Sequence, residues 1–164
     1  MMNTEKFKYD FLRYNRYHIL RPNFFLKVIC VYFLKDLFLM VVIAAGVFKA
    51  KGLSPEITVL VNLVSPRMLF ATLPIGLIGY ALINRSPDGS VLARRIWKNG
   101  RWLIGLAAIV HVGLLLGTTV RIDTAGGIVV LVLIALDIAA VVYVFRSKLV
   151  GDVFAEFPPP RDPE

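Results

Sequence analysis

Four ionisable residues stand near the middle of long apolar runs: Lys35 and Asp36 in the first, His111 in the third and Asp137 in the last. There a charge facing lipid costs about 2.5–3.5 kcal/mol on insertion scales. Such groups must face one another or a partner. Three uses follow from their types. Asp36 and Asp137 can exchange protons along an ion path, with His111, an imidazole that titrates near neutral pH, between them. Lys35 or His111 can instead pair with Asp137 and lock helices together. The same groups can also meet a second subunit. Lys35 and Asp36 sit about 100° apart around a helix, so they are not expected to point the same way.

Other chemistry is sparse. The chain has no Gly-x-Ser-x-Gly, Walker loop, HExxH or CxxC. His111 has no second His, Cys or Glu at helical spacing, which argues against a metal site. Cys30 is the one cysteine, so no internal disulfide can form, and it reads as a small buried hydrophobe. His18 lies beside Tyr14, Arg16 and Tyr17, a mixture that could stack on RNA. Next to a membrane helix, lying on anionic headgroups is the expected use, and nucleic acid is not expected as a partner. The basic stretch Arg94 to Arg101 would suit an enzyme acting on a lipid or polyprenyl phosphate, yet topology alone explains it. Glu56 and Asp123 are the few carboxylates expected outside, too few for a hydrolytic acid pair there. No catalytic residue, cofactor or metal is expected.

The elements that must position these residues are membrane helices. Hydrophobic residues make up 57% of the 164, with a mean hydropathy of +0.70. They fall in blocks that approach bilayer-spanning length rather than on one face of amphipathic helices. The expected fold is all-α, with four spans at about 24–48, 68–84, 102–119 and 126–145. A helix over the first run reaches roughly 36 Å, enough to cross with tilt. It is also too long for a cleavable signal-peptide core, so it is expected to stay as an anchor. The second run contains Pro74, Gly76 and Gly79, which predict a kink and close approach by a neighbour. The third carries Gly113-x-x-x-Gly117, a small-residue packing pattern, and is preceded by Trp97 and Trp102 as interface anchors. Ser54-Pro55-Glu56 reads as a helix start, and Ile57 to Val64 is apolar but too short to span. A short periplasmic interfacial helix is expected there. Residues 85–101, 121–125 and the segment from Arg146 read as polar connections and a tail, with Ser86-Pro87-Asp88-Gly89 a turn. The end, Pro158-Pro159-Pro160-Arg161-Asp162-Pro163, cannot be helical. No internal repeat or heptad pattern is present.

Net charge is +8, from 19 Lys and Arg against 11 Asp and Glu. With four spans, residues 1–23, 85–101 and 146–164 lie on one side and carry 13 basic residues; the other side carries 4, at Lys49, Lys51, Arg67 and Arg121. That asymmetry predicts both termini in the cytoplasm.

Two stretches resemble a known family. Tyr9-Asp10 through Leu20-Arg21-Pro22, followed at once by an apolar run, resembles the opening of the YfeZ-like family, small proteobacterial inner-membrane proteins with a domain of unknown function. Arg146-Ser147-Lys148 followed by Asp152-Val153-Phe154-Ala155-Glu156-Phe157-Pro158 resembles its ending. Leu60 to Pro66 and the glycine-rich span after it are similar in layout. The resemblance implies a four-helix protein of the bacterial inner membrane and brings no activity. Lys35-Asp36 departs from it, standing where an arginine with an aromatic neighbour is expected.

The function expected from these features is non-enzymatic: an accessory or assembly subunit of a larger membrane complex, bound to another membrane protein or to its own copies. Val153, Phe154 and Phe157 would form an exposed apolar docking tail. The alternative is a small transporter or proton-coupled channel using Asp36, His111 and Asp137.

Overall fold

The structure, a computed structural model, describes residues 8–15, 17–44, 66–117 and 125–159. Six α-helices order the described chain: α1 (Phe24–Ala44), α2 (Leu69–Ile83), α3 (Val91–Lys98), α4 (Gly100–Leu116), α5 (Ala125–Arg146) and α6 (Lys148–Ala155). Among the described residues there is no strand beyond an isolated antiparallel bridge between Tyr14 and Leu20. The expected helix over 54–65, the carboxylates Glu56 and Asp123, and residues 160–164 lie outside the described residues.

Local chemistry sets the helix starts. Asn23 Oδ1 accepts from the Leu26 amide at 2.9 Å at the head of α1, and Ser90 Oγ accepts from the Ala93 amide at 3.1 Å at the head of α3. Ser147 does the same for α6, accepting from the Val150 amide. Each satisfies one of the amides that a helix start leaves without a carbonyl. Between α2 and α3 the turn at Ser86 to Gly89 closes tightly. A Cβ at Gly89 would lie 2.3 Å from the Asn84 carbonyl oxygen, so only glycine fits.

The short helices α3 and α6 stand where the sequence reads as connection and tail. They are amphipathic, burying Ala93, Trp97, Val150, Val153 and Phe154. Trp97, expected at a membrane interface, is instead buried among these residues, and its Nε1 donates to the Val153 carbonyl at 2.8 Å. Trp102 is exposed, edge-on to Phe145. α2 continues through Pro74 as a single helix. No close neighbour uses Gly76, Gly79 or Gly113, where an added Cβ would meet nothing within 4 Å. Close approach happens at Gly100, where a Cβ would sit 2.1 Å from the Phe154 ring.

α4 is central, packing along α2 and α5, while α1 packs along α2. One core cluster runs from Leu20 and Trp97 through Ile104 and Phe33; a smaller one, Met68, Leu115 and Val130, closes the other end. α2 with its preceding turn (Pro66–Ile83) and Gly126–Arg146 are each long and apolar enough to cross a membrane. α3 and α4, bent by 64° at their junction, make a third if taken as one span. Two to three candidate spans are therefore present among the described residues, against the four expected. α1 is 21 residues long but carries Lys27, Lys35 and Asp36.

Candidate functional site

The four ionisable residues named from the apolar runs come together. α1 contributes Tyr32, Lys35 and Asp36, α4 contributes His111 and α5 contributes Asp137. His111 and Asp137 are each 1% exposed, and Asp36 is also buried. The imidazole is the hub. Its Nδ1 lies 2.7 Å from Asp137 Oδ2, and its Nε2 lies 3.1 Å from Lys35 Nζ and 3.4 Å from Asp36 Oδ2. Lys35 Nζ also donates to Asp36 Oδ2 at 3.1 Å.

Donor chemistry assigns the tautomer. An ammonium has only donors, so toward Lys35 the Nε2 must accept, and the ring proton then sits on Nδ1 and donates to Asp137. If Nε2 gains a proton, it turns to Asp36 instead, and Lys35 keeps its bond to the same carboxylate. Both ring nitrogens thus have a carboxylate within reach, one from each of two other helices. Lys35 and Asp36 were not expected to share a direction. The four-carbon lysine stem spans the angle between them, with the ammonium 4.6 Å from the Tyr32 ring centroid.

Aromatic edges close the sides: Tyr32 and Phe33 each meet the His111 ring perpendicularly at 6.2 Å. The Tyr32 hydroxyl donates to the Leu133 carbonyl at 3.2 Å, adding a second tie between α1 and α5. One polar atom is left over. Asp137 Oδ1 is buried with no hydrogen-bond partner. Asp137 also borders an apolar groove of about 380 Å³ between α4 and α5. Among the described residues no three His, Cys, Asp or Glu side chains are grouped to hold a metal.

The C-terminal residues named as a docking tail are placed differently. Val153 and Phe154 are buried against Trp97 and Gly100, and Phe157 is half-buried with the Arg94 guanidinium 4.7 Å from its ring centroid. The cluster is not an exposed surface. α6 turns its apolar side onto α3 and α4, and burying such side chains gives about 1.5–3 kcal/mol each.

Arg85 is the residue that sequence reasoning missed. It is 7% exposed and donates to the carbonyls of Leu20 at 2.7 Å, Val153 at 3.2 Å and Glu156 at 2.9 Å, with its guanidinium 4.4 Å from the Trp97 ring centroid. Burial pushes its guanidinium down to about 10, opposed by the nearby Glu156 carboxylate. Glu156 Oε2 in turn accepts from the Leu20 amide at 2.6 Å. At the surface, Lys8 and the Tyr9 hydroxyl both donate to Asp152 Oδ2, holding that carboxyl below its usual value. The segment before α1, the 85–99 region and α6 are thereby joined at one end of the long helices. A run of backbone carbonyls more than sixty positions from Arg85 leaves no spacing to read. The available signals were an arginine closing an apolar run and a tryptophan twelve residues on.

A family model described as a protein of unknown function, DUF2919, matches residues 9–156. No curated protein and no solved structure matches the chain.

Proposed function

Because the chain belongs to the DUF2919 family, whose description assigns no activity, we propose its function from geometry: a small, non-enzymatic multi-pass membrane protein that passes protons through His111. The observation carrying this is the imidazole with Asp137 on one nitrogen and Asp36 on the other. A proton taken at Nε2 from the Asp36 side is matched by release from Nδ1 to Asp137. The ring acts as acceptor and donor at once in this step; it leaves the remaining proton on Nε2, which turns from Lys35 to Asp36, and the ring returns to its first tautomer before the next transfer. With Lys35 cationic and both carboxylates ionised, one further proton makes the group neutral overall. It is neutral whether that proton resides on His111 or on Asp137, so transfer between them creates no net buried charge.

In this reading all four apolar runs cross a bacterial inner membrane with both termini in the cytoplasm. The basic count of 13 against 4 supports that orientation. So does the joining of the three basic segments at one end. In α1 the Lys35–Asp36 pair offsets part of the cost of two intramembrane charges.

The test is proton flux into proteoliposomes followed with an internal pH dye. His111→Ala and Asp137→Asn are expected to cut the flux at least tenfold. Flux at the wild-type level in both variants would falsify the relay.

An accessory-subunit reading stands second. The buried tail no longer motivates it, but exposed Leu12, Val91 and Leu92 outside the long helices do, since a partner could cover them. Purification from native membranes in mild detergent should then bring a stoichiometric companion. A lone monomer or homo-oligomer rejects it.

A further inference from the structure

A cavity of about 350 Å³ opens where α5 ends and α6 begins, and the relay makes no use of it. Its border is charged: Lys8, Arg101, Arg146 and Lys148 stand against a single carboxylate, Asp152. That carboxylate is already met, since Lys8 Nζ lies 2.7 Å from it and the Tyr9 hydroxyl donates to it as well. Lys8 and Asp152 cancel, which leaves Arg101, Arg146 and Lys148 as three positive charges around the cavity. Arg146 and Lys148 are exposed and form no ion pair with the described residues. Arg101 is fixed from behind. Its Nε and Nη2 donate to the Val144 and Phe145 carbonyls at the end of α5. Its remaining nitrogen, Nη1, lies beside Gly151, where an added Cβ would sit 3.1 Å from it. Gly151 itself borders the cavity, as does the first turn of α6 with its partial positive charge. Cations so grouped attract an oxyanion, and a guanidinium held in place suits phosphate.

The surroundings say what that phosphate is attached to. Trp102 is exposed and edge-on to Phe145, which borders the cavity; an indole so placed suits the headgroup level of a bilayer. The groove of about 380 Å³ between α4 and α5 continues the same seam. Arg101, Ala108 and Val112 follow one another at helical spacing along α4, as Phe145, Val141 and Ile138 do along α5. From Arg101 to Ala108 is about 10 Å of helix, slightly more than the roughly 5–8 Å of headgroup layer on each side of a bilayer. A phosphate at Arg101 therefore leaves the groove at the depth of acyl chains.

We infer that the cavity at the α5–α6 junction binds the phosphate of one anionic phospholipid, with an acyl chain of that lipid lying in the α4–α5 groove. A zwitterionic lipid would bring an ammonium toward three uncompensated cations, so a headgroup of net negative charge is selected. The inference rests on α4 and α5 being membrane spans and not on the proton relay.

The test is native mass spectrometry of the full-length protein, delipidated in mild detergent and titrated with dioleoylphosphatidylglycerol or dioleoylphosphatidylcholine. One phosphatidylglycerol per chain should be retained, at least tenfold more tightly than phosphatidylcholine. Arg146→Gln with Lys148→Gln should weaken that binding at least tenfold, whereas Arg95→Gln with Lys98→Gln should leave it within twofold. The second pair removes two exposed cations from the same end that do not border the cavity. Thermal unfolding is followed for both pairs, and if the first does not fold, Lys148→Glu alone takes its place. Glycerol 3-phosphate should not displace the lipid. Equal retention of the two lipids, equal loss in the two pairs, no loss in the folded cavity variant, or displacement by glycerol 3-phosphate overturns the inference. Proton flux in pure phosphatidylcholine liposomes keeps the two ideas apart. Flux without selective lipid binding rejects the lipid site and leaves the relay; selective binding without flux does the reverse. A chain that alkaline carbonate strips from native membranes rejects both.

Discussion

At the scale of single residues, the polar groups divide by what they can do without help. His111 has a partner on each nitrogen, and Asp137 has one on only one of its oxygens. Arg85 is of the opposite kind, a cation whose work is structural. It gathers three carbonyls from the segments on either side of the long helices, and it lies on Trp97. A lysine there could place its ammonium on one or two of those carbonyls but could not fork between them or stack as a plane. Arg85→Lys is therefore expected to lower stability by about 3 kcal/mol, the order expected when a buried charged group loses partners. Thermal unfolding of the purified protein reads it. A melting temperature within error of wild type would mean that the arginine's carbonyl bonds are replaced by water at no cost.

At the scale of elements, the sequence was legible where hydrophobicity is continuous and illegible where it is short. Helices α1, α2, α4 and α5 occupy the four apolar runs, since a block of fifteen or more apolar residues needs no periodicity to be recognised. α3 and α6 are eight residues each, and with only two turns apiece their stripes are too brief to stand out from a polar connection. Their serine caps, Ser90 and Ser147, were the available signals. Glycine content misled for a related reason. Gly113-x-x-x-Gly117 looks like a packing face, but Gly113 meets nothing within 4 Å, and the intimate contact is Gly100 under Phe154. A glycine is informative only together with the side chain that fills its space, and that partner lies 54 positions along the chain. The four ionisable residues could be named from their positions in the runs, whereas their mutual contact depends on helix rotation, which no run length records. Lys35 reaches around α1 by the length of its side chain, which the angle between successive helical positions does not record.

At the scale of the whole molecule, charge does two things with the same residues. Three of the arginines that weight one side of the chain are held in place. Arg94 donates to the carbonyls of Pro87 and Pro158, Arg101 to those of Val144 and Phe145, and Arg85 to the three already named. They hold the terminal segments against α3 and α4, and they also supply part of the positive excess that orients membrane helices. Lys98 lies exposed at that end and Arg67 exposed at the start of α2, toward the other. Orientation can therefore be read with two single cysteines in a Cys30→Ala background. In intact cells a membrane-impermeant maleimide should label Arg67→Cys and spare Lys98→Cys; permeabilisation should expose both. The reverse pattern would put the termini outside. Labelling of both before permeabilisation would place the two positions on the same side, and α2 could not be a span. The expected pattern would set Asp36, His111 and Asp137 between the two aqueous phases, where a proton moving along them crosses part of the membrane potential. At about 2.3 kcal/mol per elementary charge per 100 mV, proteoliposome flux should then depend on the imposed potential as well as on the pH gradient.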